Sequence, residues 1–296
     1  GVKLNDELNL YVSGSTQGQG FPEDSSGANP TYLGGDYDGF VLQLKNDASE
    51  ILHSSYFGSD LKDQNFFVQL DQQGFVYLFG QSAASLASTA GLYQGPSLGT
   101  YIYKTSPTLD TVYWTSGFGN MSPVAFLVDL CSHVYVAGQN IGGLYLSNFD
   151  TLNAVLNVGN AGFYLMALSP DGTTLEFGSF FGNSSSHVDG GTSRFDKRGF
   201  VYAATCSAGA FPTTSWAYSP NNQAGSYDVT AFKIDFEVDG VVAYSGASPG
   251  NVGCLPFTVD FNNFGSTGAF DFWDFGDGNT SNDSTPTYTY DTAGVY

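Results

Sequence analysis

The chain has 296 residues, 28 acidic and 8 basic, for a formal net charge of -20. That balance excludes nucleic acid and an anionic membrane surface as partners, since both are recognised by clustered Lys and Arg. With 42% hydrophobic and 16% aromatic residues, the chain also carries too much apolar mass to be a disordered acidic tail.

Only 12% of residues are charged, and 19 Tyr and 25 Phe stand among many Gly, Ser, Thr and Asn. This composition favours short strands and turns over helices. The length suits one large unit and one small one. No run is long and apolar enough to span a bilayer, so direct membrane insertion is not expected. No leader peptide is recognisable and the first residues already read as strand, so the chain reads as a mature or excised piece. Cys131, Cys206 and Cys254 match no metal or redox spacing.

In chain order, one apolar phrase recurs as "NLYVSGST" (9–16), "FVYLFGQS" (75–82), "HVYVAGQN" (133–140) and "FVYAATCS" (200–207). Its tyrosines, Tyr11, Tyr77, Tyr135 and Tyr202, fall about 60 residues apart. A second phrase alternates with it: "GFVLQLKNDAS", "TYIYKTSPTLD", "GFYLMALSPDG" and "DVTAFKIDFEVDG". A Phe-Gly phrase follows each of these: "HSSYFGS", "VYWTSGFGN", "LEFGSFFGN" and a degraded "VVAYSGAS" (241–248). Each unit therefore reads as four strands joined by Asp, Asn and Gly turns. Strands such as Phe75–Phe79 are apolar on both faces, which requires sheets covered on both sides.

Four-stranded units at a fixed period predict an all-β chain whose residues 1–249 form a β-propeller. The period exceeds the about 40–45 residues of a WD40 blade. The excess sits in Gly/Ser/Pro-rich insertions that leave the same point of each unit and are expected to share one binding rim. Tyr93, Trp216 and Tyr218 in these insertions are candidate binding residues, for stacking on sugars or a partner protein; packing within the rim is the competing reading. The segment 2–14 aligns without gaps on 68–80, so the chain begins with the last two strands of a unit. These are expected to complete the fourth unit and close a ring of about four blades. A larger ring with upstream blades is the alternative.

The stretches "DGFVLQLKNDASEILHSSYFGS" and "VQLDQQGFVYLFGQS" resemble the SBBP-type β-propeller repeats of bacterial cell-surface and secreted proteins. The resemblance covers residues 1 to about 249 and implies a scaffold without catalytic residues. Residues 250–296 resemble the N-terminal part of a PKD domain, an immunoglobulin-like β-sandwich. The matching residues are Trp273 to Gly278, Pro286, Thr289-Tyr290 and Gly294-Val295-Tyr296. That family continues with one more strand after "GVY", so the domain is expected to be partial.

By that resemblance Trp273 and Phe275 point into the sandwich core. Asp274 and Asp277 flank Gly276, where short carboxylates accept turn N–H groups. Clustered carboxylates also suit calcium, although Asp271, Asp274, Asp277 and Asp283 lack the alternate-residue spacing of an EF-hand. Calcium is the only cofactor the sequence suggests. Asp36 and Asp38, with Asp189 and Asp228, mark similar oxygen-rich strand entrances. Ser97 in "GPSLG" mimics a nucleophile elbow, but a strand follows it where that motif needs a helix. His53, His133 and His187 fall in no zinc spacing and read as turn or surface residues.

The combined resemblance implies a non-enzymatic extracellular or cell-surface module for adhesion or protein assembly, with the propeller rim binding protein or glycan and the PKD domain as spacer. The pairing is similar to large exported proteins of the Bacteroidetes type, many tied to type IX secretion, gliding motility and the outer membrane. Two alternatives stand beside it: the accessory binding region of a secreted carbohydrate-active enzyme, and a fixed accessory subunit of an outer-envelope secretion or gliding complex.

Overall fold

The computed structural model describes the chain apart from residues 19, 87, 96–98, 140–148, 155–161, 189–192, 197–198, 237–244, 251 and 264–271. The described residues are all-β, made of strands, turns and bends. They divide into two compact units, Gly1–Val238 and Asp239–Tyr296.

The first unit is built from four antiparallel sheets in which consecutive strands pair. The first sheet holds β1 (Val2–Leu4), β2 (Leu10–Thr16), β3 (Asp38–Leu44) and β4 (Ile51–Phe57). In the second are β5 (Asp63–Leu70), β6 (Val76–Ser82), β7 (Thr100–Thr105) and β8 (Val112–Phe118). The third comprises β9 (Ser122–Val128), β10 (Val134–Gln139), β11 (Phe163–Leu168) and β12 (Leu175–Phe181). The fourth has three described strands, β13 (Ser193–Asp196), β14 (Phe200–Ala208) and β15 (Tyr227–Asp235).

One turn opens every sheet. Its first residue is Asn5, Asp71, Asp129 or Asp196, and its fourth is left-handed: Leu8 (φ 64°), Gly74 (83°), Ser132 (68°) and Gly199 (84°). In the first three sheets the side-chain oxygen of the first residue then accepts N–H groups of the turn. Asn5 Oδ1 takes Asn9 N at 2.9 Å, and Asp71 Oδ1 takes Gln73 N and Phe75 N at 3.0 and 2.9 Å. The second carboxylate oxygen of Asp71 accepts the Tyr77 hydroxyl at 3.1 Å, and that of Asp129 the Tyr135 hydroxyl at 3.0 Å. In the second and third sheets the recurring Tyr is thus tied to the turn Asp, whereas the Tyr11 hydroxyl of the first sheet donates to Pro107 O at 2.9 Å.

Alternation along the second strand of the two middle sheets feeds two cores. Val76 and Leu78 of β6 pack with Tyr11, Val41 and Phe57 of the first sheet. Tyr77 and Phe79 pack instead with Val134, Val136 and Met166 of the third. Tyr135 and Ala137 of β10 face Val201, Ile234 and Phe236 of the fourth-sheet region. The sheets stack face to face in chain order, and each fully buried apolar side chain contributes about 1.5–3 kcal/mol. Close approach explains the Gly that ends the phrase. A Cβ on Gly80 would stand 2.4 Å from Gln64 O and 2.5 Å from the Tyr101 hydroxyl.

The hydrogen bonding overturns the expected phase of the repeat. β2 pairs with β3 from Leu10↔Leu44 to Thr16↔Asp38, and with β1 on its other edge. The N-terminal pair therefore belongs to the first sheet and does not complete the fourth, so the expected closure by these strands fails. Self-alignment cannot fix where a repeat begins; the Asx turn does, by making its hairpin the opening of each sheet. The insertions 17–37, 83–99 and 209–226 all lie between the second and third strands of a sheet, the shared point expected for them.

The second unit contains a sheet of β16 (Ser245–Ser248), β17 (Phe257–Asn263) and β20 (Thr287–Tyr290). A separate hairpin joins β18 (Trp273–Asp274) to β19 (Thr280–Ser281). Ser245–Ser248, expected to end the fourth repeat, pairs instead with β17, from Ser245↔Asn263 to Ser248↔Asp260. The remainder of that phrase, 241–244, lies outside the described residues. Phe275 is buried and stacks on Tyr288 at 4.1 Å and 8°, with Phe261 5.4 Å away. Trp273 is half-buried, packs on Phe261 at 5.5 Å and donates Nε1–H to Asp283 O at 2.8 Å.

Candidate functional site

The insertion 209–226 leaves β14 at Ala208 and returns to β15 at Tyr227, which pair with each other. Phe211 anchors its start, edge-on to Phe181 at 5.3 Å and stacked near Phe232 at 6.0 Å. Asx bonds shape its return. Asn222 Oδ1 accepts Ala224 N and Gly225 N, and Asp228 Oδ2 accepts Gln223 N at 3.0 Å. These bonds hold the Asp228 carboxyl below the usual range, the Gln223 and Val229 N–H groups being the largest causes.

Between this insertion and the first residues of β15 lies a groove of about 750 Å³, lined among others by Phe211, Thr213, Tyr218, Asn221, Asn222 and Asp228. Tyr218 is fully exposed and Trp216, two residues away, is 82% exposed. The two aromatic candidates of this insertion therefore stand on the surface beside a polar groove. Amide and carboxylate groups there can exchange hydrogen bonds with a polar ligand, while the rings offer flat apolar area.

Tyr93 does not join them. It is half-buried against the core between the second and third sheets, with its hydroxyl 3.2 Å from Asp150 Oδ2. Its N–H donates to Gly172 O at 2.9 Å and its carbonyl accepts the Ser116 hydroxyl at 2.6 Å. Burial, and then Asp150, push its phenol above the ordinary range. For Tyr93 the packed reading is the one the structure shows.

In the second unit, Asp274 Oδ1 accepts Gly276 N at 2.9 Å, and Asp277 Oδ1 accepts Asn279 N at 3.0 Å. Gly276 and Gly278 have φ of 80° and 93°, the conformations this turn requires. The Tyr288 hydroxyl donates to Asp277 Oδ2 and is the main reason its carboxyl sits below the usual range. Both acids serve the turn, and on an exposed loop they keep lone pairs open to a hard cation such as calcium. Asp271, Asp189 and Ser97 lie outside the described residues.

Of the strand-entrance acids, Asp36 is exposed and Asp38 fully buried. Asp38 Oδ2 accepts Leu33 N and Gly34 N. Asp63, at the start of β5, is also fully buried, its Oδ2 taking Ser59 N at 2.7 Å and the Ser59 hydroxyl at 2.9 Å. Tyr37 O accepts Asp63 N at 2.7 Å, joining the two loops.

The third sheet's opening turn holds a cluster that the spacing rules passed over. One ligand atom each of Asp129, Cys131 and His133 lies within 4.8 Å of the others. Asp129 Oδ1 accepts Cys131 N and His133 N, each at 2.8 Å, and Asp129 Oδ2 meets His133 Nδ1 at 3.1 Å. On the far side of the ring, Glu176 Oε2 stands 3.5 Å from His133 Nε2. Asp129 and His133 are buried and Cys131 is half-buried. The Asp129 hydrogen bond is the main cause of a raised imidazole pKa, opposed by burial. Burial, then Asp129, raise the Cys131 thiol. The only sequence signal was alternation, Asp-x-Cys-x-His, which is equally the spacing of a capped turn. No family model and no curated protein matches the chain.

Proposed function

We propose that the stacked sheets are the blades of a β-propeller, that the second unit is a PKD-type spacer, and that together they form a non-enzymatic module of a bacterial cell surface. Adhesion or assembly is its task, through a protein or glycan bound on the fourth-sheet insertion. The observation that carries this reading is the pairing of exposed Trp216 and Tyr218 with the groove that Tyr218 lines. Large aromatic rings left in water are costly unless a partner covers them, and Trp and Tyr dominate binding energy where they do. A chain of net charge -20 favours neutral or basic ligands over acidic ones.

Support for the propeller comes from three complete four-stranded antiparallel sheets in chain order, each opened by the same turn. Support for the PKD assignment comes from the Phe275–Tyr288 stack and the Asp turn at Gly276. The test is binding of the whole chain to a neutral glycan array and to outer-membrane protein extracts, beside a Trp216→Ala/Tyr218→Ala variant. The variant is expected to lose affinity at least about 10-fold, the effect of removing a hot-spot aromatic. Equal binding by both chains, or none by the intact chain, refutes the assignment of this face.

A further inference from the structure

We propose that the opening turn of the third sheet is a site for a borderline-soft divalent metal, zinc being the best fit, ligated by Asp129, Cys131 and His133 with Glu176 behind the imidazole.

Four observations carry this beyond a capped turn. The first is composition by position. The third and fifth turn residues are Glu7 and Asn9 in the first sheet, Gln73 and Phe75 in the second, and Arg198 and Phe200 in the fourth. Only the third sheet places a thiol and an imidazole there, although the turn itself needs neither. The second is geometry. His133 Nδ1 and Asp129 Oδ2 are 3.1 Å apart, close to the edge of a tetrahedron with zinc–ligand bonds of about 2.0–2.1 Å. The thiol lies at most 4.8 Å from both, and a bond of about 2.3 Å to the same ion requires it to draw closer.

The third is the carboxylate beyond the ring. A zinc-bound histidine characteristically donates its other N–H to a carboxylate, which fixes the tautomer and the ring plane. Glu176 is in that position, 3.5 Å from Nε2 and brought by β12, a different strand. The fourth is access. Cys131 is half-buried, so an ion can arrive from solvent, whereas Asp129 and His133 are enclosed.

Binding is balanced in protons. The thiol loses its proton to solvent, and the imidazole carries its single proton on Nε2, facing Glu176, with the Nδ1 lone pair on the metal. Asp129 keeps its two turn N–H bonds through Oδ1 and the Tyr135 hydroxyl on Oδ2, whose other lone pair, facing His133 Nδ1, goes to the metal. A fourth position is left for water. The sulfur ligand argues against calcium and magnesium, which take oxygen.

Metal-free chain, residues 1–296, titrated with Zn²⁺ and, separately, Co²⁺ tests the assignment. One equivalent of either is expected, and the cobalt form should show a thiolate-to-metal charge-transfer band in the near ultraviolet. Cys131→Ser should abolish the band, while Cys254→Ser should retain it. Glu176→Gln should retain it with affinity about 10–100-fold weaker, as for other outer partners of ligating histidines. Should Cys131→Ser misfold, alkylation of the intact chain decides: zinc should protect Cys131 and leave Cys254 as reactive as before. Sub-stoichiometric uptake, a band that survives Cys131→Ser, or alkylation unaffected by zinc would overturn the site.

Discussion

Replacing Asp38 by asparagine should stabilise the first unit at neutral pH. Asp38 is fully buried, and its Oδ2 accepts Leu33 N and Gly34 N, a role an amide oxygen fills equally well. Its Oδ1 is buried without a hydrogen-bond partner among the described residues, and so is Oδ1 of Asp63. Burial is the main reason the Asp38 carboxyl is raised above its usual value; the two loop N–H groups oppose it and the Asp63 charge adds to it. A buried polar group without a partner costs about 1–3 kcal/mol, and more when charged. Exchanging the carboxylate for an amide keeps the neutral penalty and removes the ionic excess, so a gain of about 1 kcal/mol is expected at pH 7.

The dependence on pH gives the sharper test. A carboxyl with a raised folded pKa opposes folding once ionised, so its benefit is complete below the unfolded pKa of about 3.9 and is lost as pH rises through the folded value. The advantage of Asp38→Asn should therefore be present at pH 7 and shrink towards zero near pH 4. Urea denaturation of both chains across that range measures it. A variant less stable than the parent at pH 7, or a difference that does not change with pH, would refute the reasoning.

Two further outcomes follow from features already described. Gly80→Ala places a methyl against Gln64 O and the Tyr101 hydroxyl and should cost about 1–3 kcal/mol by urea denaturation; a change within about 0.5 kcal/mol would mean that the backbone gives way. Asp110, held below its usual range first by the Ser106 hydroxyl, contributes stability above the unfolded pKa that is lost as pH falls through its lowered folded value. Asp110→Asn should flatten the acid limb of the stability curve below about pH 4, and an unchanged limb would count against that turn bond.

Strand content was readable because the tyrosines at 11, 77, 135 and 202 repeat with their turns, and because β6 and β10 are apolar on both faces. The phase of the repeat was hidden, since a cyclic pattern has no first strand until hydrogen bonds choose one. The pairing of Ser245–Ser248 with β17 was hidden too, as four short residues carry little pattern of their own. Trp216 and Tyr218 were readable as insertion aromatics, whereas Tyr93 is held down by Gly172 and Asp150, partners distant in sequence. The Asp129 cluster escaped because its spacing doubles as a turn and Glu176 arrives from a separate strand.

The tie between Asp71 and Tyr77 has a consequence for how the second strand keeps its place. In a sheet with one wet face, a slip of one residue is punished by exposing every apolar side chain. Strand β6 has no wet face, so a slip would only exchange Val76 and Leu78 for Tyr77 and Phe79, one apolar set for another. Hydrophobicity is nearly silent on that choice. The phenol is the side chain that can reach the turn carboxylate, and it does so from one register alone. A single polar bond, repeated at Asp129 and Tyr135, thus serves as the address label of a strand whose greasy neighbours would accept it either way up.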